Sequence, residues 1–420
     1  MALPVYAAGT LRFLASDVVG TTRVFSTPFA PKAFVVHAQG LPDLGQVSTT
    51  INWRPSIGVA SSPSKRHVSA GMSQDAFASS SCWTRQAADF VAATVPVGGA
   101  SFNGAIDLDA MLSSGGRFIV DVQLPVDFLL SILAIGGDEV EADVHTHTFG
   151  ASGSDTSAPF APDAAILVGF AGPTALPFGG SSFLQSFGVG IRDRGGIITQ
   201  GSLANLSADS LATMDTGHYV QLLDFWSRLQ GGPIAVNGRH RLDSFLANGF
   251  SYTGREVPFA QIVGVLVLKG VRGKVVGVKT KTVTGVAIPV SAGLPGGAAV
   301  VFGGRVNFEA DDVAGDNAGY SLGFATAAGQ QIAQGALDED AVADSAITLA
   351  ALTADEGCYV QVDPGAVGAK AKASRWTPDG LELEMTQADG AETDVAVLVL
   401  EGEAPTSQPA RWRYARMEAR

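Results

Sequence analysis

Segments of this chain recur three times in the same order, and this recurrence constrains the fold more than any other feature of the sequence. An opening segment reads Pro-Phe-Ala-Pro at residues 28–31 and again 131 residues later at 159–162, with an eroded copy at 294–302. A glycine-centred segment, Ser-x-Gly, and a closing apolar segment follow in every copy. They lie at 56–60, 186–190 and 321–325, and at 132–137, 265–270 and 397–402. The ordered recurrence predicts a triplicated unit.

Further shared segments set the register that we expect between the copies. Residues 213–221 and 353–361 both follow Thr-x-Asp-x-Gly-x-Tyr-Val-Gln, which predicts that Tyr219 and Tyr359 are equivalent. The closing segments pair Leu268 with Leu400 in the same way. Residues 108–112 and 242–246 share Leu-Asp-x-x-Leu, and a glycine follows each Ser-x-Gly segment. These glycines are Gly71, Gly201 and Gly335.

The period has the length of a domain rather than of a stacking repeat. The closing glycines Gly137, Gly270 and Gly402 lie 133 and 132 residues apart, whereas solenoid repeats rarely exceed about 50 residues. We therefore predict three homologous domains at residues 1–143, 144–277 and 278–403, followed by a tail at 404–420. No linker rich in Pro or Ser separates them, so we expect close packing.

The local pattern predicts strands. Each copy holds about eight short apolar runs, rich in Val, Ile and Phe and bounded by Gly, Asn, Asp and Pro. Residues 395–400 are apolar throughout, as in a strand buried on both faces. We expect an all-β protein of three tandem β-sandwich domains, jelly-roll-like, with a few short helices. One helix is predicted at residues 220–229 from its apolar spacing.

Charge and hydropathy argue against two classes of partner. The chain has 27 Lys and Arg against 40 Asp and Glu, a net charge of −13, and such an acidic surface repels nucleic-acid phosphates. The longest apolar runs, such as residues 128–135, fall short of the ~20 residues that a spanning helix needs. No secretory signal is visible at the N-terminus. We expect neither a nucleic-acid nor a membrane partner.

Two histidines are candidate metal ligands. His145 and His147 alternate along a predicted strand, so they would point to one face, where two imidazoles can share a metal. The repeat aligns them with Lys279 and Lys281 of the next copy, and protonated lysines do not bind zinc. We therefore predict a solvated polar strand face here, and neither a metal nor another cofactor.

Acidic residues offer two further candidate sites. Asp138, Glu139, Glu141 and Asp143 form a cluster between the first two copies. The matching stretch of the next copy carries Arg272 and Lys274, so we predict a solvated hairpin rather than a calcium site. A contact of the cluster with its basic counterpart in another copy or subunit is the alternative.

Asp215 and Asp355 belong to the shared Thr-x-Asp-x-Gly motif, whose Asp and Gly predict a turn that leads into a strand. No acid or base recurs beside them, and the nucleophile motif Gly-x-Ser-x-Gly is absent. Cys82 and Cys358 are predicted to be buried thiols rather than a disulfide. We expect no enzymatic activity and no catalytic residues.

The C-terminal tail differs from the rest of the chain. Its last eleven residues contain four arginines and two aromatic residues, the residue types favoured at interface hot spots. We predict that the tail docks on an acidic surface of this chain or of a neighbouring subunit. The candidate assembly contacts are Arg411, Trp412, Arg413, Tyr414 and Arg416.

The order of segments resembles that of the tandem-repeat virion proteins of tailed bacteriophages. In that family a unit opens with Phe-x-Pro-x-Ala before an apolar strand, continues through a glycine-rich strand and an Asp-Gly-Leu hairpin, and ends in Leu-x-Leu-x-Gly. The corresponding segments here are residues 29–36, 56–60, 379–383 and 397–402. The resemblance covers nearly the whole chain, and the family implies no catalytic residues.

The resemblance implies a non-enzymatic structural protein of a bacteriophage virion. We expect a head decoration or cement protein on the capsid surface, since three homologous domains in one chain could cover a threefold position of a shell. The alternative is a tail fibre or baseplate protein that binds a host receptor, although coiled-coil heptads are absent. Expected partners are capsid or tail subunits, with a homo-oligomer left open. The expected location is the virion, after synthesis in the host cytoplasm.

Overall fold

The computed structural model of the protein describes residues 2–41, 43–50, 52–74, 81–96, 98–99, 101–169, 178–180, 182–208, 216–230, 235–257, 260–304, 315–316, 318–338, 347–353 and 355–402. Strand makes up 69% of the structure and helix 0%. The all-β prediction is therefore confirmed, whereas the short helices that we expected do not occur in these ranges. None of the described residues belongs to a helix long and apolar enough to cross a membrane.

The described residues form 34 strands in chain order. The first twelve are β1 (Val5–Phe13), β2 (Thr22–Ser26), β3 (Pro31–Gln39), β4 (Val47–Thr50), β5 (Asn52–Trp53), β6 (Pro55–Ser62), β7 (Lys65–Gln74), β8 (Ser81–Ala87), β9 (Ala92–Thr94), β10 (Gly104–Leu112), β11 (Gly115–Val122) and β12 (Phe128–Gly136). The next eleven are β13 (Glu141–Phe149), β14 (Ser152–Asp155), β15 (Ala164–Gly169), β16 (Phe178–Gly180), β17 (Ser182–Arg192), β18 (Ile198–Ala208), β19 (Thr216–Gln221), β20 (Trp226–Gln230), β21 (Ala235–Leu246), β22 (Gly249–Glu256) and β23 (Gln261–Lys269). The last eleven are β24 (Gly273–Lys279), β25 (Ala287–Ser291), β26 (Gly296–Gly303), β27 (Gly315–Asp316), β28 (Ala318–Thr326), β29 (Gln331–Asp338), β30 (Ile347–Ala351), β31 (Tyr359–Asp363), β32 (Ala366–Thr377), β33 (Gly380–Gln387) and β34 (Asp394–Glu401).

The strands build three pairs of antiparallel sheets, and each pair combines a large sheet with a four-stranded one. The first pair is β1-β12-β3-β6-β7-β8-β16, with β5 beside β7, and β2-β11-β10-β9. The second is β13-β23-β15-β17-β18-β19-β27 and β14-β22-β21-β20. The third is β24-β34-β26-β28-β29-β30-β4 and β25-β33-β32-β31. We call β1–β12, β13–β23 and β24–β34 units 1, 2 and 3.

The strand order within a unit is that of a sandwich with jelly-roll-like closure. The first strand of a unit pairs with its last strand in the large sheet, and the second pairs with the next to last in the small sheet. The remaining strands run mostly as consecutive hairpins. The chain passes between units at residues 137–140 and 270–272, so the predicted junctions at 143 and 277 lie inside the opening strands β13 and β24.

Each large sheet ends on a strand that another unit supplies. β16 of unit 2 adds to β8 of unit 1, β27 of unit 3 adds to β19 of unit 2, and β4 of unit 1 adds to β30 of unit 3. The donation thus runs in a closed cycle. The β4 pairing joins the first unit to the third. Two backbone hydrogen bonds extend it, because the Gly45 amide donates to the Ala351 carbonyl oxygen and the Ala351 amide donates to the Gln46 carbonyl oxygen. The added strand occupies backbone groups that an open sheet edge would expose.

The opposite edge of each large sheet rests on a neighbouring unit. On β1 the Ala8 amide donates to Oε1 of Gln330 in unit 3, at 2.8 Å. On β24 the Val275 amide donates to Oγ1 of Thr199 in unit 2, also at 2.8 Å. Gln330 and Thr199 are equivalent, because each lies five residues before the ladder partner of its unit's Ser-x-Gly serine. The units therefore contact one another in the same cyclic sense along this edge.

The third strand of each unit divides its side chains between two cores. On β15, Ile166 and Val168 enter a central core that all three units share, whereas Ala165 and Leu167 pack inside the unit 2 sandwich. Strands β3 and β26 divide in the same way. Both faces of these strands are buried, which explains why the strands are apolar at successive positions.

A buried aspartate links the three units through its side chain. Oδ2 of Asp338 in unit 3 accepts hydrogen bonds from Oγ of Ser73 in unit 1 and of Ser207 in unit 2, each at 2.7 Å. The three residues hold equivalent positions, because each lies three residues beyond the ladder partner of its unit's Ser-x-Gly serine. We call Ser73, Ser207 and Asp338 the junction triad.

Close backbone contacts explain two glycines of the unit. A Cβ on the middle glycine of the Ser-x-Gly segment would lie about 2 Å from a carbonyl oxygen that leads into the edge strand of the small sheet. A second glycine opens the last hairpin of the small sheet, where φ lies between +140° and +153° and a Cβ would meet a carbonyl of the facing strand. The first set is Gly58, Gly188 and Gly323, and the second is Gly115, Gly249 and Gly380. The hairpin glycine seen in Asp-Gly-Leu thus recurs in all three units.

The expected register is right for one residue pair and wrong for the other. Leu268 pairs with Ala164 and Leu400 with Ala298, at equivalent places in the two large sheets. Tyr219, however, lies on β19 of a large sheet, whereas Tyr359 lies on β31 of a small sheet. Both segments lead into a buried strand, and this common local role produces similar sequences in different elements.

Two other sequence expectations also fail. Gly201 pairs with Val189 and Gly335 with Ser321, so these glycines are not equivalent. Residues 220–229 form no helix, because they contain the end of β19 and the start of β20. Their apolar side chains serve different cores, with Phe225 in the unit 2 sandwich and Leu229 in a smaller cluster, while Leu223 is exposed.

The glycine contacts predict a large difference between two substitutions in unit 3. In Gly323→Ala the new Cβ would lie 2.1 Å from the Cys358 carbonyl oxygen. Displacing this backbone should lower the free energy of unfolding by about 3 kcal/mol. Gly390→Ala is the control, since nothing lies within 4 Å of its Cβ, and it should stay within about 0.5 kcal/mol of the parent. Denaturant unfolding measures both, and equal stabilities would contradict the packing.

Candidate functional site

The tail residues predicted to make assembly contacts lie outside the described part of the chain. These are Arg411, Trp412, Arg413, Tyr414 and Arg416. Asp215 lies outside it as well. Asp355 is exposed in a turn shortly before β31, and the turn prediction is confirmed for this residue.

His145 and His147 do not lie on a solvated strand face, so that prediction is wrong. Their side chains point into unit 2 and keep only 13% and 12% of their surface exposed. The lysines of the next copy are not their counterparts. His145 and His147 pair with Val265 and Val263 of the closing strand β23. The equivalent residues of β34 pair with Val276 and Val278, which are therefore the true counterparts of the two histidines. The histidines therefore occupy positions that are apolar in unit 3.

The partner of His145 also replaces an apolar residue. The equivalent facing pairs are Gly9 with Phe25 in unit 1, His145 with Asp155 in unit 2, and Val276 with Val290 in unit 3. In unit 1 a Cβ on Gly9 would lie 3.1 Å from the Phe25 ring, so the glycine leaves room for that ring. The two valines of unit 3 belong to its sandwich core. Unit 2 alone places a charged pair between its sheets at this point.

His145 is held between two carboxylates. Its Nε2 lies 2.6 Å from Oδ2 of Asp155, and its Nδ1 lies 3.3 Å from Oδ2 of Asp143. Asp143 in turn pairs with Lys65 of unit 1. The Asp155 side chain is fully buried and that of Asp143 is 5% exposed. The result is a chain of alternating charges that runs from the unit 1 surface into the unit 2 sandwich.

The carboxylates determine the charge of His145. Burial lowers its pKa, but the hydrogen bonds and charges of Asp155 and Asp143 outweigh burial and raise the pKa above the ordinary value. The pKa of Asp155 is lowered, because the His145 contacts outweigh the opposing effect of burial. The His145 contribution to stability is thus lost as the pH rises through its raised pKa. The Asp155 contribution is lost as the pH falls through its lowered pKa.

His147 lies deeper in the same sandwich, beside a third histidine. Its ring centroid is 5.0 Å from that of Phe149 and 5.3 Å from that of Tyr252. His240 on β21 stacks on the other side of this group, 4.5 Å from Phe149 and 5.7 Å from Tyr252. Burial lowers the pKa of His147, and it lowers the pKa of His240 to about 4. Both imidazoles are therefore neutral at pH 7.

The histidine–aspartate cluster offers no accessible base or nucleophile among the described residues. Both nitrogens of His145 are engaged with carboxylates, so its ring holds charge rather than accepting a proton from a substrate. No described group of three or more His, Cys, Asp or Glu side chains could hold a metal ion. The predicted buried thiols are confirmed for Cys82 and Cys358, and burial raises the pKa of Cys358 to about 12. That thiol is consequently protonated at neutral pH.

The predicted acidic hairpin is only partly solvated. Asp138 and Glu139 are exposed in the turn between β12 and β13, and Glu141 pairs with Lys269 at the surface. Asp143 instead faces inward to His145 and Lys65. The basic partner of the cluster across units is therefore Lys65, rather than the Arg272 and Lys274 stretch.

A shallow groove of about 410 Å³ lies where unit 2 meets β24. Its apolar lining includes Leu222, Leu223 and Val275. Its two arginines are already paired, Arg255 with Asp224 at 2.9 Å and Arg241 with Asp243 at 3.0 Å. Both arginines of the groove are thus engaged in ion pairs within the chain, and a ligand would have to compete with these pairs.

Sequence reasoning missed the cluster because it compared neighbouring copies three positions out of register. Counted from the closing strand, β13 carries His where β24 carries Val, and β14 carries Asp155 where β2 and β25 carry Phe25 and Val290. Unit 2 thus has a polar residue at three positions, 145, 147 and 155, where the other copies have glycine or apolar residues, and this difference is present in the sequence. It becomes visible only once the strand register is known.

A scan against protein-family models, a search of curated proteins and a search of solved structures each returned no match.

The buried ion pair predicts a rescue experiment. Asp155→Val alone leaves the His145 imidazolium without its closest carboxylate inside the sandwich, and should lower the free energy of unfolding by about 3–5 kcal/mol. The double variant His145→Val with Asp155→Val recreates the valine pair of unit 3 and should recover most of that loss. Denaturant unfolding at pH 7 measures both variants. A double variant no more stable than the single one would show that the pair is not coupled.

Proposed function

We propose that this chain is a non-enzymatic structural protein of a bacteriophage virion, and specifically a head decoration or cement protein on the capsid surface. The proposal combines the sequence resemblance with the topology of the described residues. Its main support is the closed cycle of strand donation among three sheet pairs. A single chain with approximate threefold repetition suits a threefold position in a shell, where a symmetric interface requires repeated contact surfaces.

The distribution of polar groups supports a scaffold rather than a catalyst. The cavity-lining and interior polar groups described above make contacts between strands and units. On the outward face of the small sheets, opposite charges pair across neighbouring strands. Examples are Lys372 with Glu384 in unit 3 and Arg117 with Asp109 in unit 1. Such faces are polar and locally balanced in charge, while the chain as a whole carries a net charge of −13.

Labelling of intact virus particles tests the proposed location. Antibodies raised against the purified chain should bind the heads of particles in electron micrographs, at a density set by a repeated lattice position. Labelling confined to the tail tip would instead support the tail fibre or baseplate alternative. Particles without any label, prepared from a virus that expresses the chain, would exclude both virion functions.

Removal of the arginine-rich tail tests the predicted assembly contact. A chain ending at residue 408 should keep its unfolding transition, because all described strands end at or before Glu401. Its affinity for particles that lack the protein should fall by about 30-fold or more, as expected for a lost Arg and aromatic hot spot worth about 2 kcal/mol. A control tail of equal length made of Gly and Ser separates sequence from length. Full occupancy of the truncated chain at high salt would contradict the contact.

A further inference from the structure

We propose that the unit 2 sandwich is an acid-sensitive element, in which protonation of His147 and His240 loosens the sheet β14-β22-β21-β20 from the large sheet while units 1 and 3 remain closed. This inference concerns the response of the chain to its surroundings and goes beyond the proposed virion function. It depends on where unit 2 places titratable side chains that its two sister units lack.

The geometry makes both imidazoles costly to charge in place. His147 Nε2 and His240 Nδ1 are buried and have no hydrogen-bond partner among the described residues. The rings of Phe149, Phe250 and Tyr252 surround His147 at centroid distances of 5.0–5.7 Å. A proton added to either ring would therefore place a charge in an aromatic core with little compensation.

The charged and titratable neighbours of this group can be assigned strand by strand. On β13, Asp143 and His145 precede His147, and Lys65 of β7 pairs with Asp143. On β14, Asp155 lies 3.8 Å from Nδ1 of His147 but is already bonded to His145 at 2.6 Å.

The remaining strands supply little compensation. On β22, the hydroxyl oxygen of Tyr252 accepts a hydrogen bond from the Gly150 amide. On β23, Val263 and Gln261 stand opposite His147 and Phe149, and Gln261 accepts a hydrogen bond from Trp226 of β20. On β21, His240 bonds the Gly150 carbonyl oxygen at 3.0 Å, and its neighbour Arg239 pairs with Glu256. Among the described residues, the carboxylate near His147 is that of Asp155, which His145 already binds.

Units 1 and 3 have apolar residues at the positions of His147 and His240, so they show how the same sandwich behaves without these histidines. The ladder register matches His147 with Leu11 and Val278, and His240 with Ile106 and Ala371. These apolar residues do not titrate. At these two positions, acid can therefore act on the sandwich of unit 2 and not on those of units 1 and 3.

The direction of the effect follows from proton linkage. A histidine whose pKa is lowered by burial binds a proton more readily once it is exposed, so falling pH favours the open state. For His240, a pKa of about 4 when closed and about 6.5 when open raises the opening equilibrium by about 50-fold or more between pH 7 and 4.5. His147 adds to this in the same direction. Lowering the pH within this range does not neutralise the His145 and Asp155 pair, since the pKa of His145 is raised and that of Asp155 is lowered.

Hydrogen exchange of the intact chain tests the proposal, with protection factors corrected for the intrinsic pH dependence of exchange. Between pH 7 and 4.5, protection in β14 and β22 should fall by about 50-fold or more relative to β2 and β11 of unit 1 and to β25 and β33 of unit 3. His37 and His67 are also buried histidines, but His37 bonds Tyr320 of unit 3 and His67 packs against Gly264 of unit 2. The variant His67→Gln therefore serves as a control that should retain the local response.

Two double variants decide the outcome. H147L/H240I carries the residues of unit 1 and should abolish the difference between the small sheets. H147Q/H240Q removes titration while keeping polar side chains, and should do the same if the apolar variant fails to fold. Equal acid response of all three small sheets in the parent chain would overturn the proposal. So would a local response that persists in a folded double variant.

Discussion

Burial of one face of each large sheet against the other two units is the interaction on which the rest of the structure depends. The central core takes alternate side chains from the opening and closing strands of every unit, while the other alternate side chains fill the three sandwiches. No unit could bury both faces of its large sheet alone. The donated strands and the junction triad lie at the margin of this shared core and fix how the units meet, because hydrogen bonds are directional whereas apolar packing is not.

The shared core also explains where polar residues are tolerated. At the contact of units 1 and 3, His37 bonds the Tyr320 hydroxyl at 2.5 Å, and Trp53 stacks on the same ring. Such buried polar contacts specify one mutual orientation of the units, since a shifted arrangement would leave these groups unpaired. The histidine–aspartate cluster of unit 2 has a different place, inside a single sandwich. Protonation of its histidines acts on the unit 2 sandwich, whereas protonation of His37 or His67 acts on the contacts between units.

Much of the fold follows from patterns in single strands. Continuous apolar runs predicted strands buried on both faces, and β15, β23 and β34 are such strands. The recurrent Ser-x-Gly segment marks a real backbone contact in every unit, because no Cβ fits beneath the passing carbonyl. The Tyr219 and Tyr359 match failed because similar residues lead into a buried strand in both places, although one strand belongs to a large sheet and the other to a small sheet. The predicted helix failed because apolar spacing over ten residues does not reveal that two strands divide those residues between cores.

The sequence by itself determined the strand content, the repeated order of segments and the burial of both cysteines, since each depends on the properties of one residue or of near neighbours along the chain. Only the tertiary structure decided the register between copies, the cyclic exchange of strands and the meeting of His145 with Asp155. Those features depend on which strands lie side by side, and a shift of one residue reverses the face to which every side chain of a strand points. His145 and Asp155 are only ten residues apart in sequence. That they replace an uncharged pair is evident only from the Gly9–Phe25 and Val276–Val290 pairs, which occupy the same place in the other two units.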